Sequence, residues 1–302
     1  MNAERKRFGT KAQIKAMKGR ERRTAKALFV AFILLAAIFS AYLASVALNQ
    51  PRNETTSPAP AQLKAAIVDQ ASLSPAGGYD ENFVENVTSI LEKAGYNVDY
   101  YPGEKVTIDF YRNLPANAYQ LIILRVHSGA HTSTGTINET QITDFPVSFF
   151  TSESYSQAKY IREQLSSQLA ISSYSRGQPP YYFAIKPTFV TSCMKGYFPS
   201  SIIIMTGCEG LNNTIMAQAF IDKGAKAYIG WDKAIYFSHT DTATVHLLRC
   251  LFEGKQTIKL AVDNTMKTVG PDPAENSTLT YYPPQAGGQT VESIESKNSK
   301  AP

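Results

Sequence analysis

Apolar residues fall along this chain in three patterns, and each predicts a different kind of element. The first is one unbroken run over 27–48, ALFVAFILLAAIFSAYLASVAL, with no charge in 22 positions. At a rise of ~1.5 Å per residue, a helix of this length crosses the ~30 Å hydrocarbon core of a bilayer. No polar stripe marks one of its faces, which argues against an amphipathic core helix. The second pattern is the short apolar run of a strand buried on both faces. It occurs at 63–68 (LKAAIV), 121–126 (LIILRV), 201–205 (SIIIM) and 227–230, with further strands predicted at 97–101 and 147–151. The third is helical spacing. Phe83, Val87, Ile90 and Leu91 share a face over 80–94, and Gly95 stands where a C-terminal cap glycine belongs. The same period predicts helices over 214–223, 238–253 and 256–268, another over 156–169 and a short one at 107–113.

Strands that alternate with helices imply an α/β domain. Its sheet is mainly parallel with helices on both faces, and one transmembrane helix precedes it. Residues 130–155 read as irregular or hairpin-like, and 174–190 as loop and short strand. The Pro-, Ser-, Thr- and Asn-rich stretch 49–62 reads as a linker. The folded domain then occupies 63–284, and the polar stretch 285–302 reads as a disordered tail.

Charge sharpens the topology. Residues 1–26 carry ten Lys or Arg against Glu4 and Glu21, a net +8. The whole chain is formally +5, so everything after the tail sums to −3. The basic excess therefore belongs to the tail and marks no nucleic-acid face on the folded domain. Ahead of an apolar span it keeps the N-terminus in the cytosol and places the C-terminal domain outside the cell membrane. A cleaved signal peptide is the competing reading, with Ser45-Val46-Ala47 as a small-x-small site. The apolar run and the basic lead are both long for one, and the anchor is preferred. Sequons at Asn53, Asn86, Asn138, Asn212 and Asn276 suit an external domain.

Three cysteines occur, Cys193, Cys208 and Cys250, so an oxidising compartment leaves at least one unpaired within the chain. A Cys193–Cys250 pair would leave Cys208 as the free thiol. Two of the buried strands end in residues of nucleophilic chemistry, His127 after LIILRV and Cys208 after SIIIMTG. In open parallel sheets, sites form at the carboxyl ends of the strands. An imidazole beside a thiol supplies the base or cation that a thiolate needs. Gly207 and Gly210 let the backbone turn beside Cys208, and Gly129 can offer its N–H to an oxyanion. The bland alternative makes Cys208 a small buried hydrophobe.

The blocks LIILRVHSG and SIIIMTGCEG, followed by the segment GAKAYIGW at 224–231, resemble the cysteine peptidases of the caspase, legumain, gingipain and separase clan and the related CHAT domains. The likeness spans about 63–268. It implies a caspase-like fold and endopeptidase chemistry, with Cys208 attacking the scissile carbonyl and His127 protonating the leaving amine. The oxyanion would be held by the N–H of Cys208 and one from Ser128 or Gly129, because Ser128 stands where the family has glycine. In Arg- and Lys-specific members an acid of this region lines the substrate pocket, which nominates Asp232 and Asp241. Ser238 and Asp241 also fit a helix-start capping pattern. Glu209 reads as a charge near a helix N-terminus. His131, four after His127, invites zinc, but loop between them does not enforce ligand spacing, so no metal and no cofactor are expected. His239 and His246 read as surface or packing residues and Trp231 as a core anchor. A peptide or protein substrate and the bilayer, through 27–48, are the implied partners, and oligomeric state is open. Two other functions compete: a non-catalytic caspase-fold sensor or binding module displayed on the membrane, and a glycosylated structural surface protein.

Overall fold

The computed structural model describes residues 26, 33–43, 45, 62–130, 135–137, 140–142, 145–175 and 178–296. The chain divides into two units, Met1–Pro60 and Ala61–Pro302. In the first, residues 33–43 are helical and their large apolar side chains are exposed. Among the described residues no helix is long and apolar enough to cross a membrane. Most of the predicted tail 1–26, half of the predicted span 27–48 and nearly all of the predicted linker 49–62 lie outside the described residues.

The second unit contains the strands β1 (Leu63–Asp69), β2 (Tyr96–Pro102), β3 (Leu121–Arg125), β4 (Ser128–Ala130), β5 (Gly135–Ile137), β6 (Thr140–Ile142), β7 (Val147–Ser154), β8 (Leu169–Ser172), β9 (Tyr182–Ile185), β10 (Ile202–Met205), β11 (Ala227–Trp231) and β12 (Leu279–Tyr282). Its helices are α1 (Glu81–Lys93), α2 (Ile108–Asn113), α3 (Ile161–Leu165), α4 (Pro187–Cys193), α5 (Ile215–Asp222), α6 (Phe237–Leu248), α7 (Ile258–Thr268) and α8 (Val291–Glu295). Six strands form the main sheet in the order β12-β11-β10-β3-β1-β2, parallel except for β12. A second sheet, β4-β7-β9-β8, is antiparallel.

The apolar runs are unbroken because both faces of the main sheet are covered. Ala65, Ile67, Leu121, Ile123, Ile202, Ile204, Ala227 and Ile229 pack against α1, α6, α7 and α8. Their alternates Ala66, Val68, Ile122, Leu124, Ile203, Met205 and Tyr228 pack against α2, α4, α5 and the second sheet. Ile123 is fully buried, and truncating it to alanine costs about 2–5 kcal/mol. The boundaries of α1 follow local chemistry. Asp80 accepts a hydrogen bond from the Phe83 N–H at its start, and Gly95 adopts a left-handed φ of 91° just past its end.

Several expectations need correction. Of 156–169 only α3 is helical, and the strand β8 begins at its end. In the second sheet β7 starts at the strand predicted over 147–151 and runs on to Ser154, and β9 is the short strand expected within 174–190, whereas no strand is predicted at β4 and β8, which are short and mix polar with apolar residues. Of the predicted disordered tail 285–302, residues 297–302 lie outside the described residues, and the stretch before them is ordered. It forms α8, whose Val291 and Ile294 are buried against the main sheet's core.

Candidate active site

The two strand ends singled out by sequence meet. β10 lies parallel beside β3, with Ile204 opposite Ile123 and Met205 opposite Leu124. The Thr206 N–H extends the ladder to the Leu124 carbonyl at 3.0 Å. Carried three residues beyond the last pair, the same register would bring Cys208 level with His127 at the carboxyl edge of the sheet. The Ser128 hydroxyl donates to the Cys208 carbonyl and ties the two ends together. Gly207 is required there. A Cβ on it would lie 2.0 Å from the Val126 carbonyl oxygen, closer than any atom can stand.

His127 is gripped from three sides. Its N–H donates to Gln70 Oε1 at 2.9 Å, and its carbonyl accepts from the Phe150 N–H at 2.9 Å. Its Nε2 is 2.5 Å from the Ser74 hydroxyl. The rings of Phe237, Tyr174 and Phe150 surround the imidazole at centroid distances of 4.8, 5.0 and 5.9 Å. Burial, with the Arg125 charge adding to it, lowers the imidazole pKa to about 4, so the ring is neutral at physiological pH.

Cys208 is half-buried and unpaired. Its Sγ accepts from the Ile235 N–H at 3.5 Å and faces the Ile235 carbonyl at 3.6 Å. Burial pushes the thiol pKa up against the Ile235 hydrogen bond, and the charges of Glu209 and Asp272 raise it further. The resting group is therefore a thiol. Ile235, in the loop after β11, and Phe237, the first residue of α6, lie two positions apart, so a single short segment touches both Cys208 and His127. Cys193 and Cys250 are free as well. The Cys193–Cys250 pairing is corrected, since the two sulfurs pack into cores on opposite faces of the sheet.

The second sheet separates the two oxyanion candidates. β4 pairs with β7 antiparallel, Gly129 opposite Ser148, and the His127 carbonyl bonds the Phe150 N–H. Alternation along such a ladder turns the Gly129 N–H toward β7 and those of Ser128 and Ala130 away from it. The Ala130 N–H is taken by Glu209 Oε2 at 2.6 Å. Glu209 is thus bonded to β4 from a left-handed turn, φ 58°, rather than placed on a helix end.

Both nominated acids are engaged inside the fold. Asp241 accepts two hydrogen bonds of 2.9 Å from Arg125, whose Nη1 also reaches Asp69 at 2.8 Å and the Gly78 carbonyl at 2.9 Å. All three charged residues are buried. Burial raises the carboxyls of Asp69 and Asp241 and Arg125 opposes that, so the triad holds one guanidinium against two acids. Asp232 accepts from the Thr278 N–H at 2.7 Å, the Thr278 hydroxyl at 2.8 Å and Ser277 at 3.0 Å. Burial works against its charge, but these bonds outweigh it and lower its pKa.

A cavity of about 980 Å³ opens beside this region, lined by Asp80, Phe83, Tyr236, His239, Asp241 and Arg249 among others, though not by His127 or Cys208. Its wall at Tyr236 lies between Ile235, which touches Cys208, and Phe237, which touches His127. His131 falls outside the described residues. His239 bonds the Gly270 carbonyl, and His246 bonds Thr265. Among the described residues no group of three or more His, Cys, Asp or Glu could hold a metal. The Trp231 indole is buried and donates to Thr240.

Sequence reasoning missed Gln70, Ser74 and the segment 235–237 at the start of α6. Ser74-Pro75 reads only as a turn, and nothing in it announces a histidine partner. Arg125 did carry a signal, as the one charge inside an otherwise apolar strand. No family model matches the chain, and no curated protein matches its sequence.

Proposed function

We propose that this chain is a membrane-anchored cysteine endopeptidase of caspase-like type, with Cys208 as nucleophile and His127 as its proton-handling partner, acting outside the cell. The observation that carries this reading is the register between β3 and β10, which sets the two side chains on neighbouring strand ends. Cys208 Sγ bonds to the scissile carbonyl carbon as the carbonyl electron pair moves onto oxygen. The thiol proton passes to the imidazole in exchange for the proton that the imidazole gives to the amine nitrogen. The C–N bond breaks and a neutral amine leaves. Water then attacks the thioester, the C–S bond breaks, and the thiol is restored. The N–H groups of Ser128 and Cys208 receive the oxyanion, a contact whose removal in such sites costs about 10²–10³ in kcat.

The neutral imidazole and neutral thiol suit a pair that reacts by proton exchange rather than as a preformed ion pair. The anchor is residues 27–48, with the basic tail in the cytosol. Cleavage of a peptide library by the full chain and by Cys208→Ala tests the proposal. Cleavage lost in the variant supports it, and equal cleavage by both removes it.

A second reading, a non-catalytic binding module of the same fold, draws on the raised thiol pKa of Cys208 and on the engagement of Asp232 and Asp241 within the fold. It expects peptide binding that survives Cys208→Ala, with no turnover.

A further inference from the structure

The His127 ring has a partner that the dyad chemistry does not account for. Ser74 is 5% exposed and sits in the turn between β1 and α1, with its Oγ 2.5 Å from His127 Nε2. Two backbone N–H groups converge on the same oxygen, from Ala76 at 3.1 Å and Gly77 at 3.4 Å. A hydroxyl oxygen has two lone pairs, and these N–H groups fill both. Its hydrogen is then the one group left to meet Nε2, which must accept. The turn itself is fixed by backbone bonds, Ser74 N–H to the Ala71 carbonyl at 2.9 Å and Gly78 N–H to the Ser74 carbonyl at 3.0 Å. From the same turn Gln70 holds the His127 backbone at 2.9 Å, and its amide reaches Tyr174, whose ring packs on the imidazole.

We propose that Ser74 is a positioning residue for His127: it donates its hydroxyl hydrogen to Nε2 and so holds the imidazole in one orientation as the tautomer protonated at Nδ1. The proposal rests on the dyad reading for its catalytic meaning. In that tautomer Nδ1 carries the proton that goes to the leaving amine, and the thiol proton of Cys208 moves to the Nδ1 that this transfer vacates, leaving the ring neutral while Nε2 stays bonded to Ser74.

The test is two-bond 15N–1H correlation on the full-length chain in detergent micelles, with 15N-labelled histidine. The chain has only four histidines, and His127→Gln assigns the signal. The expected result is a His127 Nε2 of unprotonated type and a protonated Nδ1 at neutral pH. Ser74→Ala should give mixed tautomers, and Ser74→Thr, which keeps the hydroxyl, should restore the single one. In peptide cleavage, Ser74→Ala should lower kcat by about 10–100-fold with KM little changed, the size expected for a misplaced catalytic group. A wild-type Nε2 that carries the proton overturns the proposal without reference to any variant. So does an unchanged single tautomer in Ser74→Ala. The expected tautomer shift in a chain that shows no Cys208-dependent cleavage supports the Ser74 assignment and overturns the peptidase reading instead.

Discussion

Arg125 clamps Asp241 with two parallel hydrogen bonds of 2.9 Å, joining β3 to α6 across 116 residues of sequence. Arg125 stands two residues before His127 in the chain. Bidentate geometry and burial make this pair a clamp on α6, whose first residue is Phe237, and hence on Ile235 just before it. Removing one partner strands a buried charge. Asp241→Ala is therefore expected to destabilise the fold by about 3–5 kcal/mol in denaturant unfolding. A variant of unchanged stability with altered side-chain preference in peptide cleavage would return Asp241 to the role of a specificity acid.

Stability should fall on acidification through His127. Its folded pKa of about 4 lies below the ordinary 6.5, so between those values the unfolded chain binds more protons than the folded one. The contribution is complete above pH 6.5 and is lost as pH falls toward 4. It amounts to about 3 kcal/mol. Unfolding curves of wild type and His127→Gln, measured at intervals across that window, should converge as pH drops. Parallel curves would mean that the imidazole titrates normally.

The thiol of Cys208 should alkylate slowly at neutral pH and faster as pH rises past the ordinary thiol range, because burial disfavours its thiolate. Iodoacetamide labelling followed by peptide mass mapping reads each cysteine separately. Fast, pH-independent labelling at neutral pH would show a preformed thiolate instead.

Two glycines at the site should behave oppositely. Gly207→Ala drives a Cβ into the Val126 carbonyl at 2.0 Å and against Ser128 Oγ at 2.9 Å, while at Gly129 the nearest atom is Glu209 Oε2 at 3.9 Å. Gly207→Ala should cost about 1–3 kcal/mol or more and prise the strand ends apart, abolishing cleavage. Gly129→Ala should leave thermal stability nearly unchanged. Equal behaviour of the two would refute the close approach at Gly207.

What could be read in the sequence was what both-face burial writes into it. The runs ending at Val126 and Met205 are apolar, Arg125 aside, because each strand is covered on both sides, and their end residues mark the carboxyl edge without further information. The second sheet was legible only in part, through β7 at 147–151. Strands such as Tyr182–Ile185 are short and lie among Tyr, Pro and Ser residues that also read as loop. The partners of the dyad were hidden for a different reason. Ser74 reaches His127 across 53 residues and Ile235 reaches Cys208 across 27. Such pairings are set by topology, so no local pattern announces them. The Arg125 partner of Asp241 was hidden in the same way, because the guanidinium reaches it on α6 across 116 residues. α8 was taken for tail because only Val291 and Ile294 of its five residues are buried and the rest are polar or exposed.

The central claim is that His127 and Cys208 act together on a peptide bond. The most direct measurement follows the rate at which Cys208 is acylated by an activated peptide ester in the full-length chain, wild type against His127→Ala, with Cys208→Ala as the blank. The account predicts acylation confined to Cys208 and slowed by at least about 10²-fold in His127→Ala, the usual weight of a positioned acid or base. Equal rates with and without the imidazole, or acylation that persists in Cys208→Ala, would contradict it.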